Sequence, residues 1–385
     1  MELELQHSLI YESIPYIDFL FGPNVLQIIV NPNSMREVSP ISLLLLSILR
    51  LCPNLQKLSV GDWNGTDNLL LGLADFQTIC SMRSLRALDL GILKPPDGMI
   101  GRILHHIGSM ASLETLYNLY IPTEIRSLDK PDHILPLGGH WFPELRDLGL
   151  CLEYFESAVL IMDSTHHVPF RSLSFHLEPE GRVIQLHYPS ELLQSLGRSP
   201  HLPFSLSSLD ISGRMEPSLV HNVDGAEIAN ILQPLLALTS LQKLTLRFTG
   251  VEMLDDAWHD RAPKSFPRLQ DLTIHGCDLE RKRITLAGYV PLLQNCPKLF
   301  QLSIATACKS FDTKKALPPG LCNQNITQLH RLGPCIESSV GSIFRCLVLM
   351  FPNLEYLDRP SDPPSEEAWK LWIQLHLSVN DCQRY

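Results

Sequence analysis

A nine-residue phrase recurs along this chain at a nearly constant interval, and that recurrence constrains the fold more than any other feature. CPNLQKLSV at Cys52–Val60 returns as FPRLQDLTI at Phe266–Ile274, CPKLFQLSI at Cys296–Ile304 and FPNLEYLDR at Phe351–Arg359. Its shape is Leu-x-x-Leu-x-(Leu/Ile/Val). In an extended strand successive side chains alternate between faces, so Leu58 and Val60 point one way while Lys57 and Ser59 point the other. Leu55, at the entrance of the strand, turns into the same interior. Aligning every copy on its first apolar residue marks Val25, Leu55, Leu85, Leu113, Leu145, Phe170, Leu206, Leu241, Leu269, Leu299, Ile326 and Leu354. The intervals are 30, 30, 28, 32, 25, 36, 35, 28, 30, 27 and 28 residues. A period in this range, sustained over a whole chain, is the signature of a solenoid.

Between the marks the apolar spacing changes from two to helical. Ile41–Leu51, Leu70–Met82, Met99–Met110, Glu191–Gly197, Ala226–Leu238, Leu286–Asn295 and Ser338–Phe351 read as helices. Several stop at a proline just before the next strand, as at Cys52-Pro53, Phe142-Pro143, Phe266-Pro267, Cys296-Pro297 and Phe351-Pro352. Proline removes a hydrogen-bond donor and biases the residue before it towards extended geometry. The unit is therefore strand, loop, helix, turn, and parallel strands require a crossover of about this length. One unit alone buries too few apolar side chains to offset the entropy of ordering its backbone, so the units must stack.

The pattern weakens at 118–141 and 306–325, which read as loops inserted between repeats. Residues 1–22 are expected to cap one end, 23–360 to form about twelve repeats, and 361–385 to form a C-terminal capping helix that carries Trp369, Trp372, Ile373 and Leu375.

Composition restricts what the array can do. The formal charge of −10, with no long Lys/Arg run, argues against a general nucleic-acid surface. The longest strongly apolar run, Ile41–Leu49, is too short to span a bilayer, and the N-terminus lacks a basic segment followed by an apolar core. Ten scattered cysteines, with no Cys-x-x-Cys pair, read as reduced packing residues in a cytoplasmic or nuclear protein. No phosphate loop, dinucleotide fingerprint or nucleophile elbow is present, so neither a cofactor nor catalysis is expected. The adjacent pairs His105-His106 and His166-His167 lack further ligands at metal spacing and read as surface histidines. Asp255–Asp260, DDAWHD, is the densest polar cluster and reads as a solvated loop.

The strands and helix-bearing units resemble those of leucine-rich-repeat proteins, an α/β solenoid with a parallel sheet on the concave face and helices on the convex face. The Cys-Pro-x-Leu or Phe-Pro-x-Leu opening, the irregular repeat lengths and the lack of a consensus Asn after the strand resemble more specifically the repeat halves of fungal F-box proteins. In that family an N-terminal F-box docks on the adaptor of a cullin-type ubiquitin ligase, and the repeats capture the substrate. The resemblance implies a substrate-receptor role. Ile14-Pro15-Tyr16-Ile17 is similar to an F-box opening, but GPNVLQIIV, which follows, reads as the first strand and leaves no room for the remaining helices. Either an F-box lies upstream and the partner is a cullin-type ligase adaptor, or the repeats act as a free-standing scaffold without ligase recruitment.

The outward-facing strand residues are the default binding surface of such a solenoid. They include Lys57, Ser59 and Gly61; Ala87, Asp89 and Gly91; Asp147 and Gly149; Ser174 and His176; Ser208, Asp210 and Ser212; Lys243, Thr245 and Arg247; Asp271, Thr273 and His275; Gln301 and Ser303. All are expected to be small or polar and solvated. Partner contact is expected at Lys57, Asp89, Asp147, His176, Asp210, Lys243, Arg247, Asp271 and His275, centred on Lys243, Arg247, Asp271 and His275.

Overall fold

All twelve marks are buried, yet none lies within a strand. The computed structural model describes residues 1–6, 17–31, 39–61, 71–93, 98–122, 141–177, 188–213, 225–248, 250–276, 284–306, 321–332, 346–357 and 370. In each copy the strand begins two residues after the mark. The reason is local hydrogen bonding. The amide of the mark closes a turn on the carbonyl three residues earlier, as from Leu55 to Cys52 (3.1 Å), Leu85 to Met82 (3.1 Å) and Leu299 to Cys296 (3.1 Å). Only the next two amides reach across to the preceding repeat. Gln56 and Lys57 both donate to the Leu26 carbonyl at 2.9 and 3.0 Å, and Gln270 and Asp271 both donate to that of Gln242 at 2.7 and 3.0 Å.

The chain divides into two compact units, Met1–Glu180 with Ser199–His201, and Gly181–Arg198 with Leu202–Tyr385. In the first unit β1 (Glu2–Gln6), β2 (Gln27–Asn31), β3 (Lys57–Val60), β4 (Ala87–Leu93), β5 (Thr115–Ile121), β6 (Asp147–Leu152) and β7 (Ser172–Leu177) run parallel, each paired with the next. In the second, β8 (Ser208–Gly213), β9 (Lys243–Arg247), β10 (Asp271–His275), β11 (Gln301–Thr306), β12 (Gln328–Leu332) and β13 (Tyr356–Leu357) do the same. β1 carries no copy of the phrase. It lies in the segment expected to cap the array and pairs Leu3 with Ile28 and Leu5 with Val30.

Register places like residues side by side. Leu58 pairs with Ile28 and Leu88, and Leu244 with Leu209 and Leu272. These side chains are buried, so within each unit each repeat contributes one rung to an apolar column. The interior expected for the phrase itself, Leu55, Leu58 and Val60, is the observed one.

Helices cover the other side of the strands: α1 (Ser39–Leu51), α2 (Leu73–Cys80), α3 (Ile100–Gly108), α4 (Phe155–Ser164), α5 (Tyr188–Arg198), α6 (Gly225–Ile231), α7 (Asp256–Ser265) and α8 (Tyr289–Asn295). α3 shows the logic clearly, since Ile100, Ile103, Leu104 and Ile107 form one buried stripe. The helix expected at Ala226–Leu238 breaks into α6 and a 3-10 turn at Gln233–Ala237, where Pro234 cannot donate. α4 and α7 were not expected. The Asp255–Asp260 segment read as a solvated loop is instead the start of α7, with Trp258 and His259 in the core. The 118–141 and 306–325 insertions, the F-box-like Ile14–Tyr16 and the C-terminal helix at 361–385 lie outside the described residues, apart from 118–122, 141, 306, 321–325 and the helical Lys370.

A side-chain ladder runs along the turns. The residue just before the mark donates to the carbonyl two residues before the preceding mark: Asn54 to Pro23 (3.0 Å), Ser84 to Pro53 (3.0 Å), Ser112 to Arg83 (2.9 Å), Ser240 to Phe204 (3.0 Å), Asn325 to Pro297 (2.8 Å) and Asn353 to Gln324 (2.9 Å). These bonds satisfy turn carbonyls that the sheet cannot reach. They also explain why Asn and Ser recur at that position.

Candidate binding face

The outward positions of the strands form rows across each sheet, and their environments differ more than alternation alone implies. In the first unit one row runs Gln27, Lys57, Ala87, Thr115, Asp147 and Ser172, and a second runs Ile29, Ser59, Asp89 and Tyr117. In the second unit the rows are Ser208, Lys243, Asp271 and Gln301; Asp210, Thr245, Thr273 and Ser303; and Ser212, Arg247 and His275.

Two expected contact residues are not solvated. Asp147 is 4% exposed and Asp271 is 8% exposed. Adjacent strands lie only about 4.8 Å apart, so Asp271, flanked in its row by the longer Lys243 and Gln301, is closed over from both sides, whereas Asp147, between Thr115 and Ser172, is engaged instead by Arg171 from just before β7. Each buried carboxylate has partners. Asp147 accepts Arg171 Nε at 3.1 Å, a second bond from Arg171 Nη2, and Thr115 Oγ1 at 3.3 Å. Asp271 Oδ2 lies 3.4 Å from Lys243 Nζ. Ser59 in the first unit and Thr245, Thr273 and Ser303 in the second are also buried, and in each unit they form a floor rather than a contact surface.

The remaining expected residues stay accessible. Lys57, His176, Lys243 and Arg247 are exposed, whereas Asp89, Asp210 and His275 are half-buried. Asp89 Oδ1 accepts the Gly91 amide at 3.2 Å and the Asn118 side chain at 3.0 Å. Burial nevertheless holds its carboxyl above the ordinary range, against the pull of those bonds and of Lys57. His275 Nε2 shares a 2.5 Å hydrogen bond with Ser303 Oγ across the β10–β11 pair.

Three residues of the first face carried no signal in the phrase. Tyr117 lies over Gly149, where a Cβ would come within 2.9 Å of its ring. Burial and the Asp147 charge push its hydroxyl up, with Arg171 opposing. Asn118 adopts a left-handed backbone, φ 55°, at a register shift in β5 and so turns its amide towards Asp89. Arg171 precedes β7, outside the alternating positions, and reaches Asp147 only because the two strands pair.

All nine residues lie at outward positions of their strands, and all but Asp147 and Asp271 are at least partly accessible. The nine fall into two groups: Lys57, Asp89, Asp147 and His176 in the first unit, and Asp210, Lys243, Arg247, Asp271 and His275 in the second. Among the described residues, no group of three or more His, Cys, Asp or Glu is placed to hold a metal ion. No described helix is long and apolar enough to cross a membrane. Of the four histidines read as surface residues, His105 and His166 are exposed and His106 and His167 are half-buried.

No protein-family description matches this chain, and no curated protein matches it. Among solved structures, an internalin from Listeria monocytogenes aligns at 13% identity and a TM-score of 0.37, covering 90% of this chain and 83% of that one. The assignment to the leucine-rich-repeat architecture rests on the repeats themselves. In each unit they give parallel strands in chain order, an in-register leucine column and crossover helices.

Proposed function

We propose that this chain is a protein-interaction scaffold that captures a protein partner on the outward face of its sheets. The observation that carries this reading is the exposed polar side chains at outward strand positions, Lys57 in the first unit and Lys243 and Arg247 in the second, each set beside small buried hydroxyls of its own unit. Such a surface is rigid, because each side chain is rooted in a paired strand, and its specificity lies in which long side chains rise from the floor. The two carboxylates that are buried and paired contribute to holding the face, not to contacting a partner.

The narrower reading is that the scaffold is the substrate-recognition part of an F-box-type ubiquitin ligase receptor in the cytoplasm or nucleus. Its support is the resemblance of the Cys-Pro and Phe-Pro openings to that family. The six described cysteines are all free, and burial pushes the Cys80 and Cys296 thiols up to about 12, in keeping with packing roles in a reducing compartment. The rival reading is a free-standing scaffold without ligase recruitment. Residues 2–6 and 27–31 pair as parallel strands, so the receptor reading requires an F-box upstream of them.

Affinity purification of the full-length gene product with mass spectrometry separates the two. Recovery of a cullin-ligase adaptor supports the receptor, and its absence alongside a stable partner leaves the scaffold. For the face itself, Lys57→Glu and Arg247→Glu should each weaken that partner's binding with unchanged thermal unfolding. Unaltered binding in both would place the site elsewhere. Asp271 is unsuitable for such a test, since its removal strands Lys243 and exposes a packed site.

A further inference from the structure

We infer that the second unit's face recognises an acidic side chain, an Asp or Glu of the partner protein, through the guanidinium of Arg247. This deepens the scaffold reading and rests on it. Arg247 is exposed on β9, in register between Ser212 of β8 and His275 of β10. Among the described residues its side chain forms neither a hydrogen bond nor an ion pair. Its neighbour on the strand, Lys243, is already engaged with Asp271.

The first unit shows what an arginine on such a face does when a carboxylate is within reach. Arg171 grips Asp147 with two parallel hydrogen bonds. A planar guanidinium matches a carboxylate in this two-point fashion, and such charge-assisted pairs are the strong ones. Arg247 has the same chemistry and, among the described residues, no carboxylate paired with it.

Charge selects the ligand. The overall chain is acidic, at −10, so a cation left unneutralised on the outward face is a local exception to the general repulsion of acidic partners. One free positive charge balances one carboxylate. A phosphorylated side chain carries nearly two negative charges and calls for a cluster of cations, whereas among the described outward residues of β8–β11 Arg247 is the one Lys or Arg without a carboxylate partner. The floor below Arg247, with Thr245, Thr273 and Ser303 buried, leaves the guanidinium standing clear for approach from outside.

The test uses the full chain as bait for a displayed library of random twelve-residue peptides, fused at both ends so that no free carboxyl terminus is offered. Wild-type protein should enrich peptides with Asp or Glu at one fixed position. Arg247→Ala should lose that preference and bind the selected peptide about 10- to 100-fold more weakly, the range expected for one charge-assisted pair. Arg247→Glu should shift the preference to Lys or Arg. Unchanged thermal unfolding of both variants excludes a folding defect, as expected for an exposed side chain.

Absence of acidic enrichment, including failure to enrich any peptide, overturns the inference. So does a phosphoserine peptide that binds more than tenfold tighter than its Asp counterpart. A Gln301→Trp variant, which places a bulky ring on the same face, separates the two levels. If it abolishes binding while Arg247→Ala does not, the face stands and the carboxylate assignment falls. If neither changes binding, the face reading falls as well.

Discussion

His259 is the residue most at odds with its surroundings. It is 0% exposed on α7, its ring packs edge-on against Trp258 at 5.1 Å, and neither ring nitrogen has a hydrogen-bond partner. Desolvation pulls its pKa down to about 3, with Asp255 opposing weakly. In the unfolded chain a histidine titrates near 6.5, so the unfolded state takes up the proton first as pH falls. Stability tied to neutral His259 is therefore complete above about pH 6.5 and declines between there and about pH 3, by at most about 1.4 kcal/mol per pH unit. Urea midpoints at pH 7.5 and 5 should fall further apart for the wild type than for His259→Leu. Equal differences would show that His259 takes up its proton as readily in the folded protein as in the unfolded chain.

Thiol chemistry gives a second prediction at this scale. Cys322 is exposed, whereas Cys52, Cys151, Cys296 and Cys346 are buried. Because the thiolate is the reactive form, burial both blocks access and suppresses ionisation. Alkylation followed by peptide mapping should label Cys322 within minutes and Cys296 only after denaturation. Rapid native labelling of Cys296 would contradict its packing against the Pro263 and Phe266 carbonyls at 3.8 and 3.5 Å.

Among the elements, the turn before each strand is the most exacting. Position three before the mark is apolar and buried in Cys52, Met82, Met110, Phe142, Phe266, Cys296 and Phe351, but in β12's repeat it is Asn323. That side chain donates to the Cys296 and Leu299 carbonyls at 3.4 and 3.3 Å and accepts the Asn325 amide at 2.8 Å. Asn323→Ala should cost about 2–3 kcal/mol, since it leaves buried polar groups unpaired. A loss below about 0.5 kcal/mol in chemical denaturation would show that water reaches them.

Close approach sets a second constraint. A Cβ on Gly61 would sit 2.4 Å from the Gly91 Cα, a backbone atom that cannot swing aside. Gly61→Ala should therefore destabilise by about 1–3 kcal/mol, as overpacking does, and a neutral result would mean that β3 and β4 separate easily.

α7 shows why polar residues deceived the reading of its segment. Asp255 caps the helix by accepting the Trp258 amide at 3.1 Å. Asp256 accepts the Thr285 amide and hydroxyl at 2.9 and 2.7 Å, tying this repeat to the next. Asp260 pairs with Lys264 at 2.8 Å. Each acid of the cluster has a structural role, one of them with a partner 29 residues away that no local pattern reveals.

At the scale of the molecule, stability in a repeat array is a sum over repeats and their neighbours. Leu244 pairs with Leu209 on one side and Leu272 on the other. Leu244→Ala should cost about 2–5 kcal/mol. Hydrogen exchange should show the loss in β8–β10 while β2–β4 keep their protection. Uniform loss across both units would mean that the chain unfolds as one cooperative block.

The sequence by itself determined the period, the inward positions and most helix stops, because these depend on residues within about ten positions of one another. Leu55, Leu58 and Val60 were legible as interior for that reason. So was the face on which Lys57, Lys243 and Arg247 stand. Only the tertiary structure decided which polar residues of that face meet solvent. Asp147 and Arg247 look alike in the alternating pattern, yet one is enclosed and paired while the other is open. Their neighbours come from strands 24 to 35 residues away, and the side chains on those strands vary from repeat to repeat while the backbone spacing does not. Asp271 is closed over between Lys243 and Gln301 and Asp147 is gripped by Arg171, while Arg247, with Ser212 and His275 beside it in register, is left standing.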